Sequence, residues 1–110
     1  MYNGQYLTLF EIGRTELLRS VGLPYSQMEK SGFLLPVMEA HVHYAQPAFY
    51  DDELVIETTF RWERSASITM HYRILRGQEL IAHGSTKHCF VDSVKRVPVR
   101  PPAFFVQHVT

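Results

Sequence analysis

Apolar residues near the start of the chain recur at three- and four-residue steps, the spacing that places side chains on one face of a helix. The members of this face are Tyr6, Leu9, Phe10, Gly13 and Leu17. Asn3 suits an N-cap, and Gly22 followed by Pro24 supplies a stop signal. We therefore predict a long helix over residues 4–21. Because Gly13 removes a side chain from the apolar face, another element can approach the helix closely there.

Beyond residue 36 the pattern changes to an alternation of period two, which is typical of strands. Polar and Gly- or Pro-containing breaks divide it into predicted strands at residues 37–46, 53–62, 67–76 and 79–92. The tail from Val97 onward contains three prolines and cannot form a central strand. One helix followed by consecutive antiparallel strands predicts an α+β fold, with an antiparallel sheet wrapped around a single long N-terminal helix.

Composition and charge exclude several classes of partner. The 110 residues suit a single domain over residues 1–110, and 11 basic residues balance 11 acidic ones. A chain of zero net charge offers no general attraction to nucleic acid or to an anionic membrane. Cys89 is the single cysteine, and no secretory signal or membrane-spanning apolar run is visible. We expect a cytoplasmic protein without a nucleic-acid or membrane partner.

Several short stretches carry a resemblance to a known family. They are Tyr6-Leu7, Phe10-Glu11, Arg14–Leu18, Gly22–Tyr25, Leu35–Val37, Pro47-Ala48, Asp51–Leu54 and Phe90–Asp92. In this order they resemble the hotdog-fold acyl-CoA thioesterases of the 4-hydroxybenzoyl-CoA thioesterase-like family. The resemblance implies a hotdog fold and hydrolysis of an acyl-CoA thioester to a free acid and CoA. It also implies no cofactor beyond the CoA of the substrate, and a homodimer or homotetramer with its pockets between two subunits.

The same resemblance implies a gap in the catalytic machinery. The family has a strand before its helix, and this first strand has no counterpart here, because the chain starts almost at the helix. The usual catalytic Asp of the family lies seven residues before the position matched by Asn3, which falls upstream of Met1. Truncation and a natural lack of this strand remain alternatives. The second functional hypothesis is therefore a non-catalytic hotdog protein that binds acyl groups or CoA, or that only assembles.

The resemblance also indicates which residues of this chain would act on a thioester. The backbone N–H of Asn3 would stabilise the oxyanion, since a helix N-terminus offers unpaired amides and positive charge. Gly4, Gln5 and Tyr6 follow it as substrate-binding residues. Glu11 is the candidate catalytic carboxylate, because some hotdog thioesterases place a catalytic Glu on this helix. Simpler interpretations are that Asn3 is an N-cap and that Glu11 has a structural role.

Arg64 lies where family members contact the nucleotide of CoA, so it is the candidate cation for the phosphates. Asp51 and Asp52 are better read as turn formers than as catalytic acids. His41, His43, His71 and His83 could share one sheet face, but neither paired cysteines nor a His-x-x-x-His spacing supports a metal site. His88 and Cys89 are adjacent on a strand, so their side chains point to opposite faces and cannot form a catalytic pair.

Overall fold

The structure, a computed structural model, describes residues 3–49, 51–62 and 66–109, without the side chains of residues 3, 4, 61 and 107–109. The elements in chain order are α1 (Asn3–Ser20), α2 (Tyr25–Lys30), β1 (Phe33–Leu34), β2 (Val37–Tyr44), β3 (Val55–Arg61), β4 (Ser67–Arg76), β5 (Glu79–Asp92), β6 (Pro98–Val99) and α3 (Ala103–Val109). A long N-terminal helix is thus followed by antiparallel strands, as the pattern predicts.

Strand β5, with 14 residues, is the centre of the sheet. It pairs with β4 on one side and with β2 on the other, and β4 in turn pairs with β3. The short strands β1 and β6 both pair with the last residues of β5. All of these pairings are antiparallel, and among the described residues β2 and β3 form the two outer edges of the longer sheet.

The core lies between α1 and the inner face of this sheet. Phe10 of α1 is fully buried, and its ring stacks on Tyr72 of β4 with centroids 4.3 Å apart and an interplanar angle of 7°. The alternation in β4 is reflected in burial, since Ile68, Met70, Tyr72 and Ile74 are all buried. Burial of this apolar face supplies the main driving force for packing the helix on the sheet.

Gly13 permits the closest approach between α1 and β3. A Cβ atom at this position would overlap the Oγ1 atom of Thr58 and lie 2.9 Å from Cγ2 of Ile56. Any larger residue would therefore push β3 away from the helix. The prediction of a close approach at Gly13 is confirmed.

The element bounds differ slightly from the predicted ones. The helix spans Asn3–Ser20 rather than 4–21, because Gly22 adopts a positive φ of 80° and the N–H of Leu23 returns to Leu18 O at 2.8 Å. This is the usual end of a helix at a glycine. Strand β2 ends at Tyr44 rather than at residue 46, because the next two amides both turn to the carbonyl oxygen of Ile81. Strand β3 covers Val55–Arg61, within the predicted 53–62.

Four short elements have no counterpart in the predicted set: α2, β1, β6 and α3. Strands of two residues and helices of six or seven residues are too short for a hydrophobic pattern to identify them. Tertiary contacts hold these segments in place. Phe105 of α3, for example, is fully buried and meets Phe90 at a centroid distance of 5.0 Å. Pro98 begins the two-residue β6, which agrees with the exclusion of this tail from the middle of the sheet. None of the helices that the structure describes has the length and apolar character needed to cross a membrane.

Candidate active site

A cavity of about 390 Å³ opens beside the first turn of α1. Its lining residues are Tyr6, Tyr44, Ala45, Gln46, Pro47 and Ala48. The rings of Tyr6 and Tyr44 meet edge to face, with centroids 5.0 Å apart. Tyr6 is buried and Tyr44 is 44% exposed, so one tyrosine forms the inner wall and the other lies at the mouth. The lining thus combines the apolar side chains of Ala45, Pro47 and Ala48 with two phenol groups and the Gln46 amide.

The start of α1 adds hydrogen-bond donors next to this cavity. The first four amides of an α-helix have no acceptor within the helix, and the helix dipole makes this end positive. Asn3, Gly4 and Gln5 begin the described part of α1, and Tyr6 of the same turn lines the cavity. Such a helix end favours an anion or a developing oxyanion.

The hydroxyl of Tyr6 is a proton donor at neutral pH. Burial raises the pKa of Tyr6, and the nearby Tyr44 and the negative charge of Asp52 raise it further. A phenol that resists ionisation keeps its O–H available for donation. Tyr6 can therefore act as a neutral donor at the inner wall of the cavity.

The structure brings only part of the predicted site together. Asn3 and Gly4 begin α1, the side chain of Asn3 is outside the described part, and Gln5 is exposed. Tyr6 lines the cavity, whereas Glu11 is exposed and is not among the lining residues. Arg64 lies outside the described residues. The catalytic role of Glu11 and the substrate contacts of Asn3, Gly4, Gln5 and Arg64 stay predictions.

A second cavity, of about 380 Å³, lies in the groove between α1 and β3. Its polar groups are few. Glu16 is exposed and pairs with Arg19 at 2.9 Å, and the buried Oγ1 atom of Thr58 has no hydrogen-bond partner within the described ranges. The groove joins no helix N-terminus, since Ile12 to Ser20 of α1 form its wall. We therefore place the candidate active site at the start of α1.

Tyr44 and Gln46 are site residues that the sequence pattern assigns only to a strand, predicted over 37–46. Pro47, which ends the predicted strand, is the signal that could have found them. The residues around the end of a strand can form a cavity wall when they lie beside a helix N-terminus. Pro47 and Ala48 belong to the stretches that carry the family resemblance, without an assigned role.

The histidines lie on neighbouring strands, as expected. His43 of β2 is directly opposite His83 of β5, and their ring centroids are 4.9 Å apart. In the part of the chain with described side chains, no three His, Cys, Asp or Glu residues converge on a metal position. His88 is fully buried whereas Cys89 is partly exposed, in agreement with their opposite directions along β5.

Comparisons with known proteins agree with the fold. The model of the thioesterase-like superfamily matches residues 1–109. The acyl-CoA thioesterase YbgC of Haemophilus influenzae is 29% identical over 103 residues, which are 93% of this chain and 76% of that protein.

Solved structures give the same result. The DHNA-CoA thioesterase of Staphylococcus aureus is 29% identical with a TM-score of 0.87, covering 96% of this chain and 72% of that one. The Thermus thermophilus protein TT1821 is 25% identical with a TM-score of 0.92, covering 99% and 83% of the two chains. A family model that matches nearly the whole sequence, with relatives at this similarity, shows that the chain belongs to the thioesterase-like superfamily and has the hotdog fold of its thioesterases.

Proposed function

We propose that this protein hydrolyses an acyl-CoA thioester to a free acid and CoA, and that it does so in the cavity at the start of α1. The observation that carries the proposal is the position of Tyr6, which lies in the first described turn of α1 and lines the cavity. The alanine, proline and tyrosine surfaces of this cavity can hold an acyl group, and its hydroxyl and amide groups can orient it. A thioester carbonyl beside it would lie near the first amides of the helix, those of Asn3, Gly4 and Gln5.

The mechanism needs an oxyanion site and a base. The amides of Asn3, Gly4 and Gln5 would stabilise the negative charge on the carbonyl oxygen as the tetrahedral intermediate forms. A carboxylate would take a proton from water, the hydroxyl group would add to the carbonyl carbon, and the C–S bond would then break. The departing CoA sulfur would receive the proton. Glu11 is our proposed carboxylate; it does not line the cavity of its own chain, and its exposed side chain would reach a thioester held between two copies.

One observation favours the alternative of an acyl- or CoA-binding protein without catalysis. The described residues that line the cavity include no carboxylate. Asp52 raises the pKa of Tyr6, but its Oδ2 accepts hydrogen bonds from the Phe49 amide and from Arg76. These bonds hold the pKa of Asp52 below its usual value, so it is a weak base.

We also propose that the protein is a homodimer formed through the outer edge of β2. Seven of the eight residues of this strand are exposed, and only Val42 is half-buried against the core. Val37 and Met38 are 43% and 57% exposed, and an unpaired strand edge readily adds another strand. Pairing of β2 with β2 of a second copy would satisfy both the edge and the apolar side chains.

A cytoplasmic location, suited to the free thiol of Cys89, and a role for Arg64 on the CoA phosphates complete the proposal.

Thiol release from a panel of acyl- and aroyl-CoA substrates tests the function. We expect turnover by the parent chain, and a fall in kcat of about 100-fold in Glu11→Gln, because the amide cannot accept the proton from water. Glu16→Gln is the matched control, since Glu16 is an exposed glutamate of the same helix that lines the other cavity.

Full activity in Glu11→Gln would eliminate Glu11 as the base. Tight binding of CoA thioesters without any thiol release would contradict hydrolysis and support the binding protein instead.

The molecular mass in solution tests the dimer. Met38→Lys should convert a dimeric parent into monomers, because a charge on a strand edge opposes pairing. Val94→Lys is the control, since Val94 is 86% exposed and lies in the turn after β5. Light scattering during size-exclusion chromatography gives the mass. A parent chain that elutes as a monomer, or a Met38→Lys variant that remains dimeric, would rule out the β2 interface.

A further inference from the structure

The cavity wall opposite Tyr6 is formed by a connection rather than by a regular element. We name residues 45–49, between β2 and β3, the wall segment; Ala45, Gln46, Pro47 and Ala48 all line the cavity. At its first end the amides of Ala45 and Gln46 donate to the carbonyl oxygen of Ile81, at 2.9 and 3.0 Å. Pro47 has no amide hydrogen, so the backbone at this position cannot be held in the same way.

Arg76, the last residue of β4, holds the second end of the wall segment. Its Nη1 atom donates to Asp52 Oδ2 at 2.7 Å and to the carbonyl oxygen of Pro47 at 3.3 Å. Its Nε and Nη2 atoms donate to Glu79 Oε1 of β5 at 3.1 and 2.6 Å. The guanidinium group is thus fixed to the β4–β5 hairpin on one side and binds the wall segment on the other.

Asp52 connects Arg76 to Phe49, the last residue of the wall segment. Its Oδ2 atom also accepts the amide of Phe49 at 2.7 Å, and its own amide donates to the carbonyl oxygen of Phe49 at 3.0 Å. The guanidinium carbon of Arg76 lies 5.9 Å from the centre of the Phe49 ring. The side chains of Arg76 and Asp52 are 27% and 17% exposed, so water screens their ion pair less than it screens the exposed pairs elsewhere on the sheet.

We propose that Arg76 is a positioning residue for substrate binding: it holds Pro47 and Ala48 in place opposite Tyr6 and thereby sets the width of the cavity. The inference rests on the proposed function, because it assigns the cavity to the acyl group. Arg76 itself does not line the cavity. Its loss should therefore weaken binding and acyl selectivity while the helix amides remain in place.

Kinetics with separate kcat and KM values test this role. In Arg76→Gln we expect KM to rise about tenfold, with kcat changed by less than about twofold and with a smaller preference between short and long acyl groups. Asp52→Asn should have a similar effect, because the substitution removes the negative charge that pairs with Arg76. The amide oxygen of asparagine can still accept the Phe49 N–H, so only the ion pair is lost. Arg76→Lys should be intermediate, because one ammonium group cannot match the fork that binds Asp52 and Glu79 together.

Arg73→Gln is the matched control. Arg73 lies on the same strand and pairs with Glu57 at 2.9 Å, but both side chains are at least half exposed, and within the described residues neither is hydrogen-bonded to the wall segment. Hydrogen exchange of the Phe49 and Asp52 amides provides a second measurement that needs no substrate. Exchange should accelerate in Arg76→Gln and should not change in Arg73→Gln.

The outcomes are separable. An unchanged KM and acyl preference in Arg76→Gln, in a parent that releases thiol, would overturn the positioning role. Unchanged amide exchange would overturn it as well. A parent chain without thiol release would contradict the proposed hydrolysis, and amide exchange would then decide on its own whether Arg76 holds the wall segment.

Discussion

Thr86→Val should lower the free energy of unfolding by about 3 kcal/mol, although valine has nearly the same shape as threonine. The hydroxyl of Thr86 is buried and links two other buried groups, Tyr72 OH at 2.6 Å and His88 Nε2 at 2.7 Å. The Nδ1 atom of His88 lies 3.3 Å from the carbonyl oxygen of Leu35. We infer that neutral His88 donates from Nδ1, accepts from Thr86 at Nε2, and leaves the Thr86 oxygen to accept from Tyr72. Valine would leave two buried polar groups without partners, and denaturant unfolding measures the loss.

The control is Thr59→Val, because Thr59 is exposed on β3 and its hydroxyl links no buried network in the contacts described. This variant should change stability by less than about 0.5 kcal/mol. Equal denaturation midpoints for Thr86→Val and the parent would show that the hydroxyl chain contributes nothing.

The pH dependence gives an independent measurement on the same network. Burial lowers the pKa of His88, with a smaller contribution from the positive charge of Arg14. Below the usual value of 6.5 the unfolded chain therefore binds more protons at His88 than the folded chain does. Stability should fall as the pH drops below about 6.5 towards the lowered folded pKa, and His88→Gln should reduce this part of the slope.

Gly84→Ala should destabilise the fold by roughly 2–4 kcal/mol, through a different cause. Gly84 of β5 lies under the ring of Phe10, and a Cβ atom there would be 2.7 Å from Phe10 Cε2. The same atom would overlap the backbone carbonyl oxygen of His41 in the neighbouring strand β2. Backbone cannot move aside without disturbing the pairing of β2 with β5, so the strain is not relieved locally. Denaturant unfolding of the variant measures the effect.

Ser85→Ala is the neighbouring control, because the side chain of the next residue points to the other face of the sheet. The double variant Phe10→Leu with Gly84→Ala separates the two contacts. If the ring causes most of the strain, Phe10→Leu should cost less in the Gly84→Ala background than in the parent. Parent-like stability in Gly84→Ala itself would mean that the close approach at Gly84 is not needed.

The elements that could be predicted are those whose hydrophobic pattern extends over many residues. A helical face spanning Tyr6 to Leu17 and the alternation around Tyr72 extend over enough residues to identify α1 and β4. The six-residue α2 and the buried Phe105 of α3 depend on contacts made after the chain has folded, which a local pattern cannot reveal.

The candidate site was predictable to a smaller extent, for a related reason. Tyr6 could be placed because it lies in the first turn of a readable helix. Tyr44 and Arg76 could not be placed, because they reach the site region from the ends of two different strands. Their importance depends on the path of the connection between β2 and β3, and that path is fixed by an ion pair between residues 24 positions apart.

The central place of β5 has a consequence for the order in which the protein is made. Strand β2 pairs with residues 82–88, which lie 38 to 51 positions later in the chain, and β1 pairs with residues 91 and 92. A ribosome that has added the first 78 residues has therefore produced α1, β2, β3 and β4 but not the strand that joins β2 to β4. Until β5 emerges, β2 has no partner strand among the described elements, and the sheet that covers the helix is incomplete. The fold is completed in one late step, and the nascent chain is most exposed to aggregation just before that step.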